Sequence, residues 1–313
     1  MLKKDLRLEV EIYEKDQAIP HKELLRRVKG ANIILSILTE QMNAEAFDAA
    51  GPQLKMIANY AVGFDNIDLA EAKKRGIVVT NAAHPMISES VAEHAIALMF
   101  ALAHRIVEAD TFTRAGKYKA WGPQLLLGTD IAGKTIGIIG SGAIGTSIVR
   151  RLRDGFGVKI VYNDVKPNPA LEKMTGATFL SKEGLLKIAD FISLHVPLLP
   201  ATHHLISTKE FSLMKPTAFI INTARGPIID EKALLVALAN KQIAGAGLDV
   251  YESEPSIDCD LTDTLELRQF PNVVLTPHTA SATIETRQAM SVACAENILA
   301  FMDGKTPPNI VKA

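Results

Sequence analysis

Residues 134–145 read KTIGIIGSGAIG, and this stretch decides the fold of the chain. Its apolar, β-branched segment 135–139 is typical of a buried parallel strand. Three glycines then follow in the pattern G-x-G-x-x-G: Gly140, Gly142 and Gly145. In a dinucleotide-binding turn the first makes the tight turn, the second admits a pyrophosphate, and the third lets the next helix pack closely. With a helix predicted over 143–152, the stretch indicates a nucleotide-binding α/β domain.

A single carboxylate predicts which nucleotide binds. A second predicted strand, 158–162, ends shortly before Asp164. The offset from Gly145 to Asp164 is close to the ~20 residues expected for a carboxylate that binds the adenosine ribose. Because such a carboxylate accepts hydrogen bonds from the ribose hydroxyls and repels a 2′-phosphate, we predict NAD rather than NADP. Lys166 is the only nearby cation that would favour the phosphate.

Length and composition exclude several other classes of protein. The chain has 313 residues, enough for two domains, and its formal net charge of −1 gives no support to a nucleic-acid partner. The N-terminal residues mix charged and apolar types, and no long apolar run occurs, so we expect no secretory leader and no membrane span. The two cysteines, Cys259 and Cys294, have no metal-type spacing. We therefore expect a cytoplasmic protein without a bound metal.

Residues 1–85 alternate short predicted strands and helices, which indicates a parallel sheet in a small α/β domain. The strands are predicted at 8–12 (an edge strand), 32–36, 54–58 and 77–80. Helices are predicted at 20–28, at 44–50 with Asn43 as its cap, and at 68–75. A long helix from residue 88 to about 115 follows, and we place the domain boundary near its middle. Its histidines, His94 and His104, are predicted to be core or surface residues.

The loop at 59–66, NYAVGFDN, follows one of these strands. Ligands bind at the carboxyl ends of strands in parallel sheets. Gly63 would leave backbone N–H groups open to an anion such as a carboxylate, although a plain left-handed turn explains the glycine equally well. Further along the chain, the irregular stretch 116–130 carries the only tryptophan, Trp121, which is either a lid, an oligomer contact or local packing.

The later strands are predicted at 191–196, 218–223, 244–250 and 272–276, and a final helix at 283–302. Arg225, Glu254 and His278 each follow the carboxyl end of one of them. Reduction of a 2-keto acid needs these residue types. An arginine fork holds the carboxylate and the ketone oxygen, a histidine gives the ketone oxygen its proton, and a glutamate orients the histidine.

Each of these three side chains also has a simpler interpretation, as a surface ion-pair partner, a solvated loop residue or a helix cap. Their convergence beside a nucleotide turn favours the catalytic one. Asp249, at the end of the strand that Glu254 follows, is predicted to contact the nicotinamide amide or ribose. His195, His203 and His204 are predicted to be structural or to lie on the cofactor side.

Five stretches together resemble the D-isomer-specific 2-hydroxyacid dehydrogenase family, and the resemblance spans essentially the whole chain. They are GSGAIG at 140–145, HVPL at 195–198, INTARG at 221–226, GLDVYESEP at 247–255 and TPHTAS at 276–281. The resemblance implies two Rossmann-like domains. A flavodoxin-like substrate domain, residues 1–100 completed by 284–313, would hold an inserted NAD-binding domain, residues 101–283, with a doubly wound parallel sheet.

The resemblance also implies the roles of individual residues. Arg225, Glu254 and His278 would be the catalytic set, and the amides of Val62 and Gly63, with Arg225, would bind the substrate carboxylate. Cofactor contacts are implied for a larger set on the turn and the strand ends: Gly140, Gly142, Ala143, Ile144, Gly145, Asp164, His195, Val196, Pro197, Thr202, Thr223, Ala224, Asp249, His278 and Ser281. The family further implies a homodimer formed through the cofactor domain.

Within the family, residues 59–66 and 121–123 look most like those of glyoxylate/hydroxypyruvate reductases, in some of which a partner's tryptophan approaches the pocket as Trp121 would. We therefore predict an NAD(H)-dependent oxidoreductase that interconverts a small 2-keto acid and the D-2-hydroxy acid. One alternative is a D-3-phosphoglycerate dehydrogenase without a regulatory domain, although residues 59–68 lack the cations that would favour a phosphate. Another is a non-catalytic NAD-sensing scaffold.

Overall fold

A computed structural model describes residues 8–15, 17–254 and 266–311. Pro255, which ends the quoted motif 247–255, and Cys259 lie outside these residues. The chain forms two compact units. The terminal unit consists of Met1–Ile87 and Thr283–Ala313, and the central unit is Ser88–Ala282. Both are α/β units built on parallel sheets, which confirms the predicted class.

The terminal unit has a 3-stranded parallel sheet in the order β1-β2-β3. The strands are β1 (Ile33–Ser36), β2 (Met56–Asn59) and β3 (Val78–Thr80), and the helices of the unit are α1 (His21–Arg27), α2 (Ala44–Ala50), α3 (Leu69–Lys74) and α11 (Ile284–Met302). Side-chain oxygens begin three of these helices: Asn43 accepts from the Ala46 amide, as predicted, Asp68 from the Glu71 amide and Thr283 from the Thr286 amide.

The predicted edge strand at residues 8–12 is wrong, since these residues form no strand. Val10 and Ile12 remain 39% and 44% exposed. An alternating pattern stabilises a strand only when its apolar face is buried against neighbours, and these two side chains stay largely exposed.

The central unit has a 7-stranded parallel sheet in the order β10-β9-β8-β7-β4-β5-β6. Its strands are β4 (Thr135–Ile139), β5 (Lys159–Asn163), β6 (Thr178–Phe179), β7 (Phe191–Leu194), β8 (Phe219–Asn222), β9 (Gly245–Leu248) and β10 (Val273–Leu275). The strand order reverses between β4 and β7, and ligands bind at such a switch point in open α/β sheets. The helices assigned to this unit are α4 (Pro85–Ala103), α5 (Ile106–Arg114), α6 (Ala143–Phe156), α7 (Pro169–Thr175), α8 (Lys182–Ile188), α9 (Thr208–Leu213) and α10 (Glu231–Ala239).

The long helix predicted from residue 88 to about 115 is two helices, α4 and α5. Between them Arg105 adopts a left-handed conformation, with φ 53°. The carbonyl oxygen of Ala103, at the end of α4, accepts a hydrogen bond from the amide of Thr129 at 2.8 Å. This carbonyl therefore bonds to a distant loop. The contact boundary between the units lies in the first turn of α4, between Ile87 and Ser88, and Ala92, Ala95 and their neighbours on α4 pack with the sheet of the central unit.

Of the described helices, α4 alone is long and apolar enough, by those two measures, to cross a membrane. Half of that stretch is buried inside the protein. Its apolar side chains are therefore those of a core helix.

Candidate active site

Three neighbouring strands of the central sheet carry the predicted catalytic side chains. β8, β9 and β10 are adjacent and parallel, so their carboxyl ends lie at one edge of the sheet. Arg225 follows β8, Glu254 follows β9 and His278 follows β10. The structure therefore brings an arginine, a carboxylate and a histidine to the same edge.

The histidine and the carboxylate are paired. Nδ1 of His278 lies 2.7 Å from Oε2 of Glu254, and Oε1 of Glu254 accepts the Tyr251 amide at 2.9 Å. Burial raises the pKa of Glu254, but the hydrogen bond and charge of His278, the Tyr251 amide and the charge of Arg225 outweigh it and hold that pKa below its usual value. The carboxylate therefore stays ionised. Because it engages Nδ1, Nε2 is the ring nitrogen left for a substrate.

A buried aspartate holds the turn on which His278 lies. His278 has a φ of 54°, a conformation that costs ~1–2 kcal/mol in a residue with a side chain. Its amide donates to the Asp249 carbonyl at 2.8 Å. The fully buried Asp249 carboxylate accepts the amides of Thr279 and Ala280, both at 2.8 Å, and the Thr276 hydroxyl at 2.6 Å. These charge-assisted bonds offset the cost of the turn.

His94, on α4, extends this network. Its Nε2 lies 3.0 Å from Oγ1 of Thr276 and 3.5 Å from Oδ1 of Asp249. The sequence offered no signal for this contact, because the partners are distant in the chain. The predicted contact of Asp249 with the nicotinamide stays a prediction, and its carboxylate is already engaged by protein donors.

The loop that carries Arg225 is held by the last residue of β8. Oδ1 of Asn222 accepts the Ala224 amide at 3.0 Å, and its Nδ2 donates to the Arg225 carbonyl at 2.8 Å. A Cβ at Gly226 would lie 1.8 Å from the Tyr251 carbonyl oxygen, so only glycine fits there. The loop after β8 therefore lies directly against the loop after β9. Asn222 is a further site residue that the sequence analysis missed, and its position at a strand end was the available signal.

Of the three glycines in the turn after β4, only Gly142 has open space beside its backbone. Gly140 has a φ of 100°, and a Cβ there would lie 2.5 Å from the His195 carbonyl oxygen. A Cβ at Gly145 would lie 2.2 Å from the Gly140 carbonyl oxygen, whereas one at Gly142 meets nothing within 4 Å. α6 begins directly after Gly142. A tight turn with open space before a helix N-terminus fits the pyrophosphate of a dinucleotide.

Asp164, at the end of β5, is joined to this turn. Its Oδ2 accepts the amide and the hydroxyl of Ser141 at 2.7 and 2.6 Å, and its Oδ1 accepts the Val165 amide at 2.7 Å. Burial raises the pKa of Asp164, but these hydrogen bonds and the charge of Lys166 hold it below its usual value. The side chain is therefore a carboxylate at neutral pH.

Two buried polar atoms at neighbouring strand ends have no hydrogen-bond partner within the described residues. They are Oγ1 of Thr223, after β8, and Nδ1 of His195, after β7. The other ring nitrogen of His195 lies 2.8 Å from Oγ of Ser193. Burial lowers the pKa of His195 to about 3, so the ring is neutral. Unsatisfied buried groups at this edge fit a ligand that brings donors and acceptors.

The remaining predicted cofactor residues lie on the same set of loops. Ala143 and Ile144 open α6, Val196, Pro197 and Thr202 follow β7, Ala224 follows β8, and Ser281 follows the His278 turn. The hydroxyl of Thr202 donates to the Pro197 carbonyl at 2.6 Å and accepts the Leu199 amide at 2.8 Å, which closes the turn.

The loop after β2 belongs to the terminal unit. Asn81 donates to the Val62 carbonyl at 2.8 Å and Asn59 donates to the Gly63 carbonyl at 2.9 Å. Over the described ranges, no acceptor pairs with the amides of Val62 or Gly63. Gly63 is not left-handed, so the alternative of a left-handed turn is wrong. The loop is fixed through its carbonyl oxygens, and these amides have no acceptor among the described residues.

Comparisons with known proteins agree on one family. The model of the D-isomer specific 2-hydroxyacid dehydrogenase NAD binding domain matches residues 96–280. A glyoxylate reductase from Korarchaeum cryptofilum is 47% identical over 299 residues, 95% of this chain and 88% of the relative.

Solved structures agree as well. A protein from Thermus thermophilus is 41% identical, with a TM-score of 0.89 over 98% of this chain and 94% of its own. An NADPH-dependent glyoxylate/hydroxypyruvate reductase from Sinorhizobium meliloti, in complex with NADP and malonate, is 34% identical, with a TM-score of 0.79 over 89% of this chain and 83% of its own.

Proposed function

Because the chain belongs to the D-isomer-specific 2-hydroxyacid dehydrogenase family, we propose that it reduces glyoxylate, hydroxypyruvate or a similarly small 2-keto acid with NADH. The 2.7 Å pair of His278 and Glu254 carries the proposal, since it supplies an oriented acid at the edge of the sheet that bears the dinucleotide turn. The glyoxylate reductases among its relatives support the choice of substrate.

Each catalytic side chain has a separate task. Arg225 binds the carboxylate and the ketone oxygen of the substrate with its planar guanidinium. His278 gives a proton from Nε2 to the ketone oxygen, a contribution of typically ~10²–10⁴-fold in rate. The ionised Glu254 orients the ring through Nδ1. When bound, the nicotinamide cofactor supplies the hydride. In the oxidation direction His278 is the base.

We propose that the central unit binds the cofactor and that the terminal unit contributes to substrate binding. These are the roles predicted for the domains 101–283 and 1–100 with 284–313. The open amides of Val62 and Gly63 support a role in binding the substrate carboxylate. Carboxylates prefer backbone N–H groups that no protein acceptor uses, which are the groups this loop offers.

NAD is the cofactor that Asp164 favours. Its carboxylate is ionised and lies on the turn that would hold the pyrophosphate, so a 2′-phosphate on the adjacent ribose would be repelled. The Sinorhizobium meliloti reductase is described as NADPH-dependent, so this preference has to be measured for this chain.

We also propose a homodimer formed through the central unit, in the cytoplasm. Large apolar side chains are exposed on α5 and on the stretch after it: Ile106 52%, Val107 48%, Tyr118 53%, Trp121 78% and Leu127 62%. Exposed apolar side chains in such number support an association surface. The buried, unpaired Cys294 supports a reducing compartment.

The test is NADH oxidation with glyoxylate, hydroxypyruvate, pyruvate and 3-phosphohydroxypyruvate in parallel, at saturating cofactor. We expect the highest kcat/KM with glyoxylate or hydroxypyruvate, and D-glycerate as the product from hydroxypyruvate. A preference for the phosphorylated acid would refute the proposed substrate class. Absence of turnover with all four acids, while NADH still binds, would refute the proposed reaction.

A further inference from the structure

Three metal-ligating side chains that the proposed reaction does not use lie together at the carboxyl edge of the central sheet. They are His203, His204 and Glu252, and one ligand atom of each lies within 4.8 Å of the others. We propose that these residues bind a divalent transition metal ion such as Zn²⁺. Two imidazoles and a carboxylate form a ligand set that zinc uses, with its fourth position left to water. The prediction of no metal site rested on cysteine spacing and did not consider this cluster.

The backbone places the two histidine rings on one side. Side chains of consecutive residues in an extended chain point in opposite directions. His204 instead has a φ of 49°, and its ring centroid lies 4.1 Å from that of His203. The amide of His204 donates to the Pro227 carbonyl at 2.8 Å, which fixes this conformation. Two adjacent imidazoles are thereby available to one ion.

The carboxylate of Glu252 is held in place by hydrogen bonds to the protein. Oε1 of Glu252 lies 2.7 Å from Nε2 of His204, while Oε2 accepts the Glu231 amide at 3.2 Å. The amide of Glu252 donates to the Glu231 carboxylate at 2.8 Å. Contacts of this kind orient metal ligands. An ion bound by both side chains would replace the hydrogen bond between His204 and Glu252.

The remaining adjustment is small. Ligand atoms ~2.1 Å from a tetrahedral ion lie ~3.4 Å apart, so the 4.8 Å limit requires a contraction of at most about 1.4 Å, while the 2.7 Å pair of His204 and Glu252 must open by about 0.7 Å. His203 is exposed, so its side chain can turn inward and an ion can enter from solvent. The charge around the site also suits a cation, since Asp230 interacts electrostatically with His204.

The experiment is a calorimetric titration of the chelator-treated, desalted protein with Zn²⁺ alone. We expect His203→Gln to weaken Zn²⁺ binding at least tenfold, because it removes one ligand from an exposed position. The matched control is His21→Gln, which removes an exposed histidine that pairs with Glu45, and its affinity should equal that of the wild type. Zn²⁺ should raise the midpoint of thermal unfolding of the wild type and the control, but not that of His203→Gln.

Binding should also weaken as pH falls, because the imidazoles must lose their protons to bind metal. Absence of Zn²⁺ binding by the wild type would overturn the proposal, as would equal affinity in His203→Gln. Loss of binding in His278→Gln with retention in His203→Gln would overturn it too, since the ion would then lie on the catalytic pair.

Discussion

Replacing Gly142 with alanine should weaken NADH binding and leave the fold intact. A Cβ at Gly142 meets no atom within 4 Å, and the backbone φ of −69° suits any residue. As the N-cap of α6, alanine costs ~1 kcal/mol, and the reduced entropy of the unfolded chain returns ~0.4–1 kcal/mol. We therefore expect the free energy of unfolding to change by less than ~1 kcal/mol.

The added methyl group would occupy the space where the pyrophosphate approaches the backbone. Loss of one hydrogen bond to a charged group costs ~1.5–3 kcal/mol, and each ~1.4 kcal/mol is a tenfold change in affinity. We expect the Kd of NADH, measured by fluorescence titration, to rise at least tenfold in Gly142→Ala. Thermal unfolding of the same preparation checks that the fold is kept.

Two other glycines of α6 are matched controls. A Cβ at Gly155 also meets nothing within 4 Å, so Gly155→Ala should stabilise the helix by ~0.5–1 kcal/mol and leave NADH binding unchanged. Gly145→Ala should destabilise the protein, because its Cβ would lie 2.2 Å from the Gly140 carbonyl oxygen. Wild-type NADH affinity in Gly142→Ala would refute the placement of the pyrophosphate at this turn.

Four further variants test the site. His278→Gln should lower kcat ~10²-fold or more and keep the affinity for NADH. The control is His104→Gln, which changes an exposed histidine and should leave kcat unchanged. Near-normal turnover in His278→Gln would remove His278 from the mechanism. Asp249→Asn should lower the free energy of unfolding by ~1.5–3 kcal/mol in urea, because its buried carboxylate accepts two amides and a hydroxyl, and a smaller loss would mean that the turn holds itself. The free energy of unfolding should fall by up to ~1.4 kcal/mol per pH unit as the pH drops from ~6.5 towards about 3. The reason is that His195 takes up a proton in the unfolded chain but stays neutral when buried. His195→Gln should remove this contribution to the slope. Asp164→Ala should bring kcat/KM with NADPH closer to that with NADH, and an unchanged ratio would assign the preference to another group.

The sequence predicted the features that depend on local pattern. β4, the turn after it and α6 form one continuous signal, and Arg225 and His278 could be placed at strand ends because parallel strands end at one edge. The capping of α2 by Asn43 was equally visible, since a short polar residue before an apolar run fixes a helix start.

Features that depend on distant partners were not predictable in the same way. The predicted helix at 88–115 is interrupted where the Ala103 carbonyl accepts the Thr129 amide. No sequence pattern between these two residues indicates this contact. The left-handed turn at His278 is held by Asp249, which follows a different strand, β9. The strand predicted at 8–12 was wrong for a different reason. The residues do alternate between apolar and charged types, but the segment does not pair with a sheet.

The contact between Gly226 and the Tyr251 carbonyl has a consequence for attempts to change the substrate range. A Cβ at Gly226 would lie 1.8 Å from that oxygen, so the two backbones pack directly against each other. A mutant library that varies only the segment around Arg225, or only the segment around Glu254, would contain many variants in which the two loops no longer fit together. The two segments should therefore be varied together, and recombination between relatives should exchange them as one unit.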